Sequence, residues 1–248
     1  LFTVQPLDFF LAQALKKIGA MASTSDEVFE WPPLESDPSI MSEYLHSIGL
    51  SDDWEIGECY GLDGDCLDFI PPSCVAMIVN AERLCKEQER MQGDPNTQMQ
   101  YYMKQSSKLD NACGIIACLH SIFNNREVVG VKENSILAKF WSQVIDKTPQ
   151  ERCSTLESFT DFQNIHRTYA MKGQSNRASS QDDVNHHYTA FVLTSDKKLI
   201  ELDGTKQGPL VVAENIESVV HGTAQELKQR LEEGKISESL SVMTLVQI

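Results

Sequence analysis

The sequence predicts a single domain of mixed helix and strand structure, of the α/β (α+β) class. Its 248 residues suit one sizeable domain or two small ones. Hydrophobic residues make up 41% of the chain and charged residues 23%, which is typical of a globular protein. Segments with helix and strand patterns follow one another without a break in composition. One intermixed domain is therefore the simplest interpretation.

The first half of the chain predicts a helix followed by two strands. A Ser-Asp-Pro segment offers a cap for a helix over residues 39–48, which Gly49 would end. Residues 54–60 and 74–79 have strand patterns, and the continuous apolar run of the second indicates a buried position. The polar, turn-rich residues 86–100 predict a surface loop.

The second half predicts a buried helix, a long loop and a hairpin. Residues 114–123 are apolar on nearly every side, which indicates a helix inside the core. Residues 163–184 are polar and loop-like. The elements predicted after this loop are two strands, a helix and a final strand, at 187–193, 198–202, 224–233 and 240–246.

Charge and hydropathy exclude several classes of partner. The net charge of −15 disfavours nucleic acid and favours basic partners, although excess carboxylates also simply keep a protein soluble. No apolar run approaches the roughly 20 residues that span a bilayer, so we expect a soluble chain with no membrane partner.

Cysteine usage predicts a reducing compartment. The chain has seven cysteines, an odd number, and several of them lie in apolar runs, as Cys74 does. This favours buried thiols in a cytoplasmic or nuclear protein over a disulfide framework. No Cys-x-x-Cys motif occurs and the histidines lack zinc-ligand spacing, so we expect no metal and no cofactor.

The N-terminal residues are predicted to lie outside the functional domain. The chain starts at Leu1, whereas Met21 is a plausible natural start. Asp8 and the Lys16-Lys17 pair interrupt any signal-peptide core. We therefore expect residues 1–20 to be an extension or upstream segment, and residues 21–248 to form the domain.

Cys113 is the candidate nucleophile because it lies where the buried helix should start. Asp110 or Asn111 would serve as the N-cap, which places Cys113 in the first helical turn. There the helix dipole and unpaired N–H groups favour a thiolate. Gly114 would let a substrate backbone approach closely. The alternative is a structural buried cysteine, which is the commoner role.

A histidine and an aspartate are paired by the predicted hairpin. A loop centred on Ser195 makes Asp203 the direct cross-strand partner of His187, about 5 Å away on the same face. The carboxylate would then fix the tautomer of the imidazole. His186 would lie on the other face. The alternative is a surface ion pair. His120, on the buried helix, is interpreted as a core histidine.

The order Cys, His, Asp is that of papain-like hydrolases, in which an imidazole activates the thiol and a third group orients it. The oxyanion donors would be the backbone N–H of Cys113 and the side chain of Gln105.

These residues resemble the ubiquitin carboxyl-terminal hydrolase family, the thiol proteases that cleave after the last glycine of ubiquitin. The main motifs are Met103-Lys104-Gln105, Asn111-Ala112-Cys113-Gly114, and His187 with the strand leading to Glu201-Leu202-Asp203-Gly204. Weaker similarities are Trp31-Pro32-Pro33-Leu34-Glu35, Tyr60-Gly61-Leu62-Asp63, Thr148-Pro149-Gln150-Glu151-Arg152 and Gly173-Gln174. Together they span about residues 31–248.

The resemblance implies a role for each candidate catalytic residue. Cys113 would be the nucleophile, His187 the general base, Asp203 the group that orients it and Gln105 the oxyanion donor. One spacing departs from the family pattern, which has the glutamine six residues before the cysteine, whereas Gln105 and Cys113 are eight apart. The longer loop either bulges outward or displaces Gln105, and losing one such donor typically costs about 10²–10³ in rate.

The resemblance also implies a fold and a mode of access. The fold would be papain-like, with a central antiparallel sheet flanked by helices and a deeply knotted backbone. The loop at 163–184 would cross over the active site and restrict leaving groups to small or flexible ones. The chain resembles the short form of the family, without the C-terminal extension of proteasome-associated relatives.

The implied partner is ubiquitin or a ubiquitin-like protein, bound by a monomer. The candidate substrate-binding residues are Trp31, Leu34, Glu35, Asp37 and Asn111, and the acidic pair among them would dock the basic tail of ubiquitin. Two alternatives stay open: a non-catalytic ubiquitin-binding protein of the same fold, and another papain-like hydrolase or acyl transferase.

Overall fold

The computed structural model describes residues 29–172 and 186–248. Contacts divide the chain into Leu1–Glu30 and Trp31–Ile248, and the fold described below is that of the second unit. Its α-helices are α1 (Pro38–Ile48), α2 (Gly64–Leu67), α3 (Lys86–Arg90), α4 (Cys113–Asn124), α5 (Ile136–Val144), α6 (Pro149–Glu157), α7 (Thr160–Ala170) and α8 (Val219–Glu232). Its strands are β1 (Trp54–Glu58), β2 (Ala76–Arg83), β3 (His186–Leu193), β4 (Lys198–Leu202), β5 (Leu210–Glu214) and β6 (Ile236–Gln247). A 3₁₀ helix at Ser107–Ala112 leads into α4.

The six strands form one antiparallel sheet in the order β1-β6-β2-β3-β4-β5. This confirms the central antiparallel sheet flanked by helices. The central strand β2 is buried along most of its length because helices cover both faces of the sheet. Helix α8 packs on the face that carries Met77 and Phe191. Helix α4 packs against β2 and β3, where a Cβ on Gly114 would lie 3.5 Å from Tyr188.

The predicted first helix is confirmed, with both of its ends. The Asp37 carboxylate accepts a hydrogen bond from the Ile40 N–H at 3.0 Å and caps α1. Gly49 ends the helix at φ 116°, a left-handed conformation in which a side chain would be strained. Among the described residues no helix is long and apolar enough to cross a membrane.

The β3–β4 hairpin forms, but its predicted register is wrong by two residues. Ala190 pairs with Leu202, so the loop is centred on Asp196 rather than Ser195. Lys197 adopts φ 62° and its N–H binds the Thr194 carbonyl at 3.0 Å, which closes a tight three-residue loop. Because side chains alternate along a strand, a shift of two residues leaves every side chain on its predicted face.

Several predicted loops contain helices. Helix α3 begins the predicted loop at 86–100, and helix α7 occupies the start of the predicted loop at 163–184. The rest of that second loop, from 173 onward, lies outside the described residues, so its crossing of the active site stays a prediction. The knotted backbone also stays a prediction.

Helix α6 was missed although its start has a clear signal. Thr148 and Glu151 form a reciprocal capping box around Pro149 at the first helical position. Strand β5, at the edge of the sheet, was missed as well.

Candidate active site

Cys113 is the first residue of α4, but the caps predicted for this helix are wrong. Ala112 occupies the cap position, and no side chain binds the first free N–H groups there. The 3₁₀ helix runs directly into α4, so Asp110 and Asn111 lack the extended backbone that an N-cap side chain requires. The thiol therefore lies at the N-terminal end of the helix dipole without a competing carboxylate cap.

The Cys113 thiol lies beside the His187 imidazole, near enough for the two groups to act on each other's pKa. Burial by itself would raise the pKa of this thiol. The proximity and the charge of His187 outweigh that effect, and the net pKa is lowered. Cys113 is buried, with 9% of its surface exposed. All seven cysteines lie within the described residues and are free, so this thiol is available for chemistry.

His187 contacts Asp203 with its other ring nitrogen. His187 Nε2 lies 2.8 Å from Asp203 Oδ1. Burial alone would lower the pKa of His187, but the charge and hydrogen bond of Asp203, with those of Cys113, raise it to about 9. At neutral pH the imidazole is therefore protonated, beside a thiol whose pKa is lowered. The predicted His187–Asp203 pair is present and buried, not a surface ion pair.

The Asp203 carboxylate has a full set of partners. Its Oδ1 accepts hydrogen bonds from the backbone N–H and the hydroxyl of Thr205, both at 2.8 Å. Its Oδ2 accepts from Arg83 Nη1 at 3.0 Å. Burial would raise the pKa of Asp203, but the charges and hydrogen bonds of His187 and Arg83 hold it well below its usual range. Asp203 is therefore ionised at neutral pH.

Sequence reasoning missed Arg83. The predicted strand ended at residue 79, whereas β2 continues to Arg83 and brings this side chain to the carboxylate of Asp203. The signal that could have identified it is a lone arginine four residues past a buried apolar run, on the same strand face as Met77.

The other histidines near the site have separate partners. His186 Nε2 lies 2.8 Å from the Ser239 hydroxyl, as expected for the opposite strand face. His120 is fully buried, stacks on Tyr102, and accepts a hydrogen bond from the Met103 N–H at 3.1 Å. The interpretation of His120 as a core histidine is therefore confirmed.

Gln105 lies beside the site with its amide already engaged. Gln105 Nε2 donates to the carbonyl oxygens of Leu109 and Asp110, at 3.1 and 3.0 Å. Both acceptors belong to the 3₁₀ helix that contains the longer spacing before Cys113. The two hydrogens of the amide are thus directed at this helix rather than at the thiol. The backbone of Gln105 is fixed independently, by its N–H bond to the Gly204 carbonyl at 2.9 Å.

The candidate substrate-binding residues have different environments. Trp31 is 3% exposed and packs edge-on against the His166 ring, so it is a core residue. Leu34 is buried, and its side chain would lie 3.4 Å from a Cβ on Gly114. The space expected for a substrate backbone over that glycine is thus partly filled. Glu35 and Asp37 are half-buried on the same segment, and Asn111 is exposed beside Cys113.

Comparison with known proteins decides which family this site belongs to. The family model "Ubiquitin carboxyl-terminal hydrolase, family 1" matches residues 31–232. This chain belongs to the ubiquitin carboxyl-terminal hydrolase family. It is 31% identical to a probable ubiquitin carboxyl-terminal hydrolase of Dictyostelium discoideum, over 88% of each chain. It is 32% identical to a ubiquitin carboxyl-terminal hydrolase of Drosophila melanogaster, over 73% of this chain and 81% of the relative.

A solved structure confirms the fold of this hydrolase. The catalytic domain of Trichinella spiralis UCH37, bound to ubiquitin vinyl methyl ester, superposes with a TM-score of 0.71. The match covers 93% of this chain and 99% of that domain, at 21% identity. The family motifs around Cys113, His187 and Asp203 are therefore carried on the family fold, in an arrangement that suits thiol chemistry.

Proposed function

We propose that this chain is a cysteine-type ubiquitinyl hydrolase, which cleaves amide, ester or isopeptide bonds at the C-terminal glycine of ubiquitin. The observation that carries the proposal is the linked geometry of three side chains. The Cys113 thiol lies beside His187, whose Nε2 lies 2.8 Å from the carboxylate of Asp203. Membership of the ubiquitin carboxyl-terminal hydrolase family supports ubiquitin as the substrate.

In the first half of the reaction, the Cys113 thiolate attacks the carbonyl carbon of the terminal glycine. The carbonyl oxygen becomes an oxyanion, and the backbone N–H of Cys113, at the start of α4, would be one donor to it. Protonated His187 gives its proton to the leaving amine as the carbon–nitrogen bond breaks. The product of this half is a thioester between ubiquitin and Cys113.

In the second half, neutral His187 takes a proton from a water molecule that attacks the thioester. The ubiquitin carboxylate leaves and the thiolate–imidazolium pair is restored. Asp203 keeps the imidazole in one orientation and one tautomer through both halves. Its position depends on Thr205, which donates to the same oxygen that His187 contacts, and on Arg83, which donates to the other oxygen.

Charge supports a basic substrate. The net charge of −15 favours association with the basic tail of ubiquitin, and Glu35 and Asp37 lie on the segment that also carries Leu34 to the vicinity of α4. Seven free thiols support a cytoplasmic or nuclear location. We further propose that the enzyme acts as a monomer, with residues 21–248 as its catalytic domain and residues 1–20 outside it.

The decisive experiment uses ubiquitin with a C-terminal fluorogenic amide as the substrate. The wild-type chain should release the fluorophore, and the Cys113→Ala variant should release none while it still binds ubiquitin. The Cys118→Ala variant is the matched control, because Cys118 lies on the same helix but is buried in the core. It should retain activity. Cleavage that survives in Cys113→Ala would contradict the assignment of the nucleophile.

A second candidate function is non-catalytic ubiquitin binding, and it is favoured by one observation. The amide of Gln105 is engaged by Leu109 and Asp110, so one oxyanion donor of the family is turned away. Tight binding of ubiquitin by the wild-type chain with no turnover would support this candidate. Neither binding nor cleavage would point to a different substrate for the same thiol chemistry.

A further inference from the structure

The guanidinium of Arg83 contacts the triad of Cys113, His187 and Asp203 through the carboxylate of Asp203. Arg83 Nη1 lies 3.0 Å from Asp203 Oδ2 and 3.2 Å from the Thr205 hydroxyl. The Arg83 side chain is 9% exposed and that of Asp203 is 0% exposed, so water screens the pair weakly. Asp203 Oδ1 serves His187, while Oδ2 serves Arg83. The two cations therefore share one carboxylate.

The Asp203 carboxylate attracts both cations, and the positive charges of Arg83 and protonated His187 repel each other. Each cation lowers the affinity of the surrounding groups for protons. Removal of one cation leaves the carboxylate fully available to the other. The proton on His187 would then be held more tightly, and the Cys113 thiolate would lose some of the positive potential that favours it.

A second carboxylate, that of Glu89, also lies near Arg83. Arg83 Nε lies 3.7 Å from Glu89 Oε2, close enough for an ion pair but too far for a hydrogen bond. Glu89 is 6% exposed and belongs to α3, the helix that follows β2. Within residues 29–172 and 186–248, the further titratable groups that act on Asp203 or on the Cys113–His187 pair include Tyr102, Lys104, His120, Tyr188 and Glu201.

We propose that Arg83 is a positioning residue for hydrolysis, which holds the free oxygen of Asp203 and sets the pH range of the Cys113–His187 pair through its charge. This inference rests on the proposed function, because it assigns a role within the same active site. It makes a prediction with a definite sign. Loss of the charge should move both limbs of the pH–activity profile to higher pH.

The test measures the pH dependence of two reactions in three variants. The first reaction is alkylation of Cys113 by iodoacetamide, followed by mass spectrometry of the fragment that carries this residue. The second is kcat/KM for ubiquitin fluorogenic amide. Arg83→Met removes the charge at similar length, Arg83→Lys keeps it, and Glu89→Gln removes a buried charge of opposite sign.

For Arg83→Met, we expect both limbs of the kcat/KM profile, and the rise of the alkylation rate with pH, to shift to higher pH by roughly 0.5–1 unit. The KM for the ubiquitin substrate should be unchanged because the Arg83 side chain is buried. The limbs should stay near the wild-type positions in Arg83→Lys and should not move upward in Glu89→Gln. Limbs that stay in place or move to lower pH in Arg83→Met would overturn the proposal and leave Arg83 a purely structural residue.

A double variant controls for misfolding of Arg83→Met. Arg83→Met leaves Glu89 buried without its cation, which is destabilising. The Arg83→Met/Glu89→Gln variant removes both charges, and a smaller upward shift is expected in it because Arg83 is the charge in contact with Asp203. Alkylation needs no ubiquitin, so the role of Arg83 is decided even if the wild-type chain fails to cleave the ubiquitin substrate. Such a failure would contradict the proposed function but not the role of Arg83.

Discussion

The Asp203 carboxylate binds His187 Nε2 at 2.8 Å, which leaves Nδ1 as the ring nitrogen for the Cys113 thiol. The nominal cross-strand partner of His187 in the observed register is Thr205, not Asp203. Because β4 ends at Leu202, the chain turns at Asp203 and brings the carboxylate back toward the histidine. Thr205 then supports that carboxylate with its N–H and its hydroxyl.

The first prediction concerns this carboxylate. Asp203→Asn should lower kcat/KM for ubiquitin fluorogenic amide by roughly 10²–10⁴-fold, because an amide cannot stabilise the imidazolium and favours the wrong tautomer. Steady-state kinetics measure the loss. Circular dichroism checks that the fold survives. Activity within a few-fold of wild type would remove Asp203 from the mechanism.

The second prediction compares two adjacent histidines. His187→Ala should reduce turnover to the background level, since the thiolate loses its partner and the leaving amine its proton donor. His186→Ala is the matched control, because that side chain bonds Ser239 on the other face of the strand. It should keep near wild-type kcat. Equal losses in the two variants would show that the strand, and not the His187 ring, is what matters.

The third prediction concerns Gln105. Its amide donates to Leu109 and Asp110, so in this conformation it supplies no hydrogen bond to an oxyanion. Gln105→Ala should therefore lower kcat by less than the roughly 10²–10³-fold that a preorganised oxyanion donor contributes. Single-turnover kinetics isolate the chemical step. A loss of the full 10²–10³ would mean that substrate binding releases the amide from the 3₁₀ helix.

The fourth prediction is acid destabilisation between pH 6.5 and 4. Burial lowers the pKa of His120 and of His166 to about 4, from an ordinary value of 6.5. In this range the unfolded chain takes up protons that the folded chain does not, so the free energy of unfolding falls as the pH falls. The loss is at most about 3 kcal/mol for each histidine at pH 4.

Urea unfolding at a series of pH values measures this slope. His166→Gln should flatten it, and His221→Gln should not, because His221 is exposed on α8.

On the alkaline side, the pKa of His187, raised to about 9, makes the folded chain bind the extra proton. Stability contributed by His187 is therefore present below pH 6.5 and lost as the pH rises through 9.

The fifth prediction concerns the acidic segment before α1. Glu35→Gln and Asp37→Asn should slow association with ubiquitin at low salt, and the slowing should vanish at high salt. Asparagine caps a helix about as well as aspartate, so Asp37→Asn removes the charge without removing the cap of α1. Stopped-flow binding at several ionic strengths measures the effect. Association that is insensitive to salt would contradict electrostatic steering.

Local patterns in the sequence predicted the elements that carry the site. The Asp37 cap and Gly49 set the ends of α1, and apolar residues on nearly every side of α4 marked that helix as buried. Motif resemblance then marked Cys113, His187 and Asp203, and these three side chains do meet. Such patterns are legible because caps, glycine conformations and apolar periodicity are short-range effects of neighbouring residues.

Contacts between distant elements could not be predicted in the same way. The end of β2, the register of the hairpin and the turn at Asp203 depend on packing within the whole sheet, which offsets weak local preferences. They bring Arg83, 120 residues away along the chain, to the carboxylate of Asp203. The sequence by itself determined the family and predicted the catalytic thiol and its histidine. Only the tertiary structure decided which charges surround the triad and where the Gln105 amide points, because both depend on contacts between segments far apart in the chain.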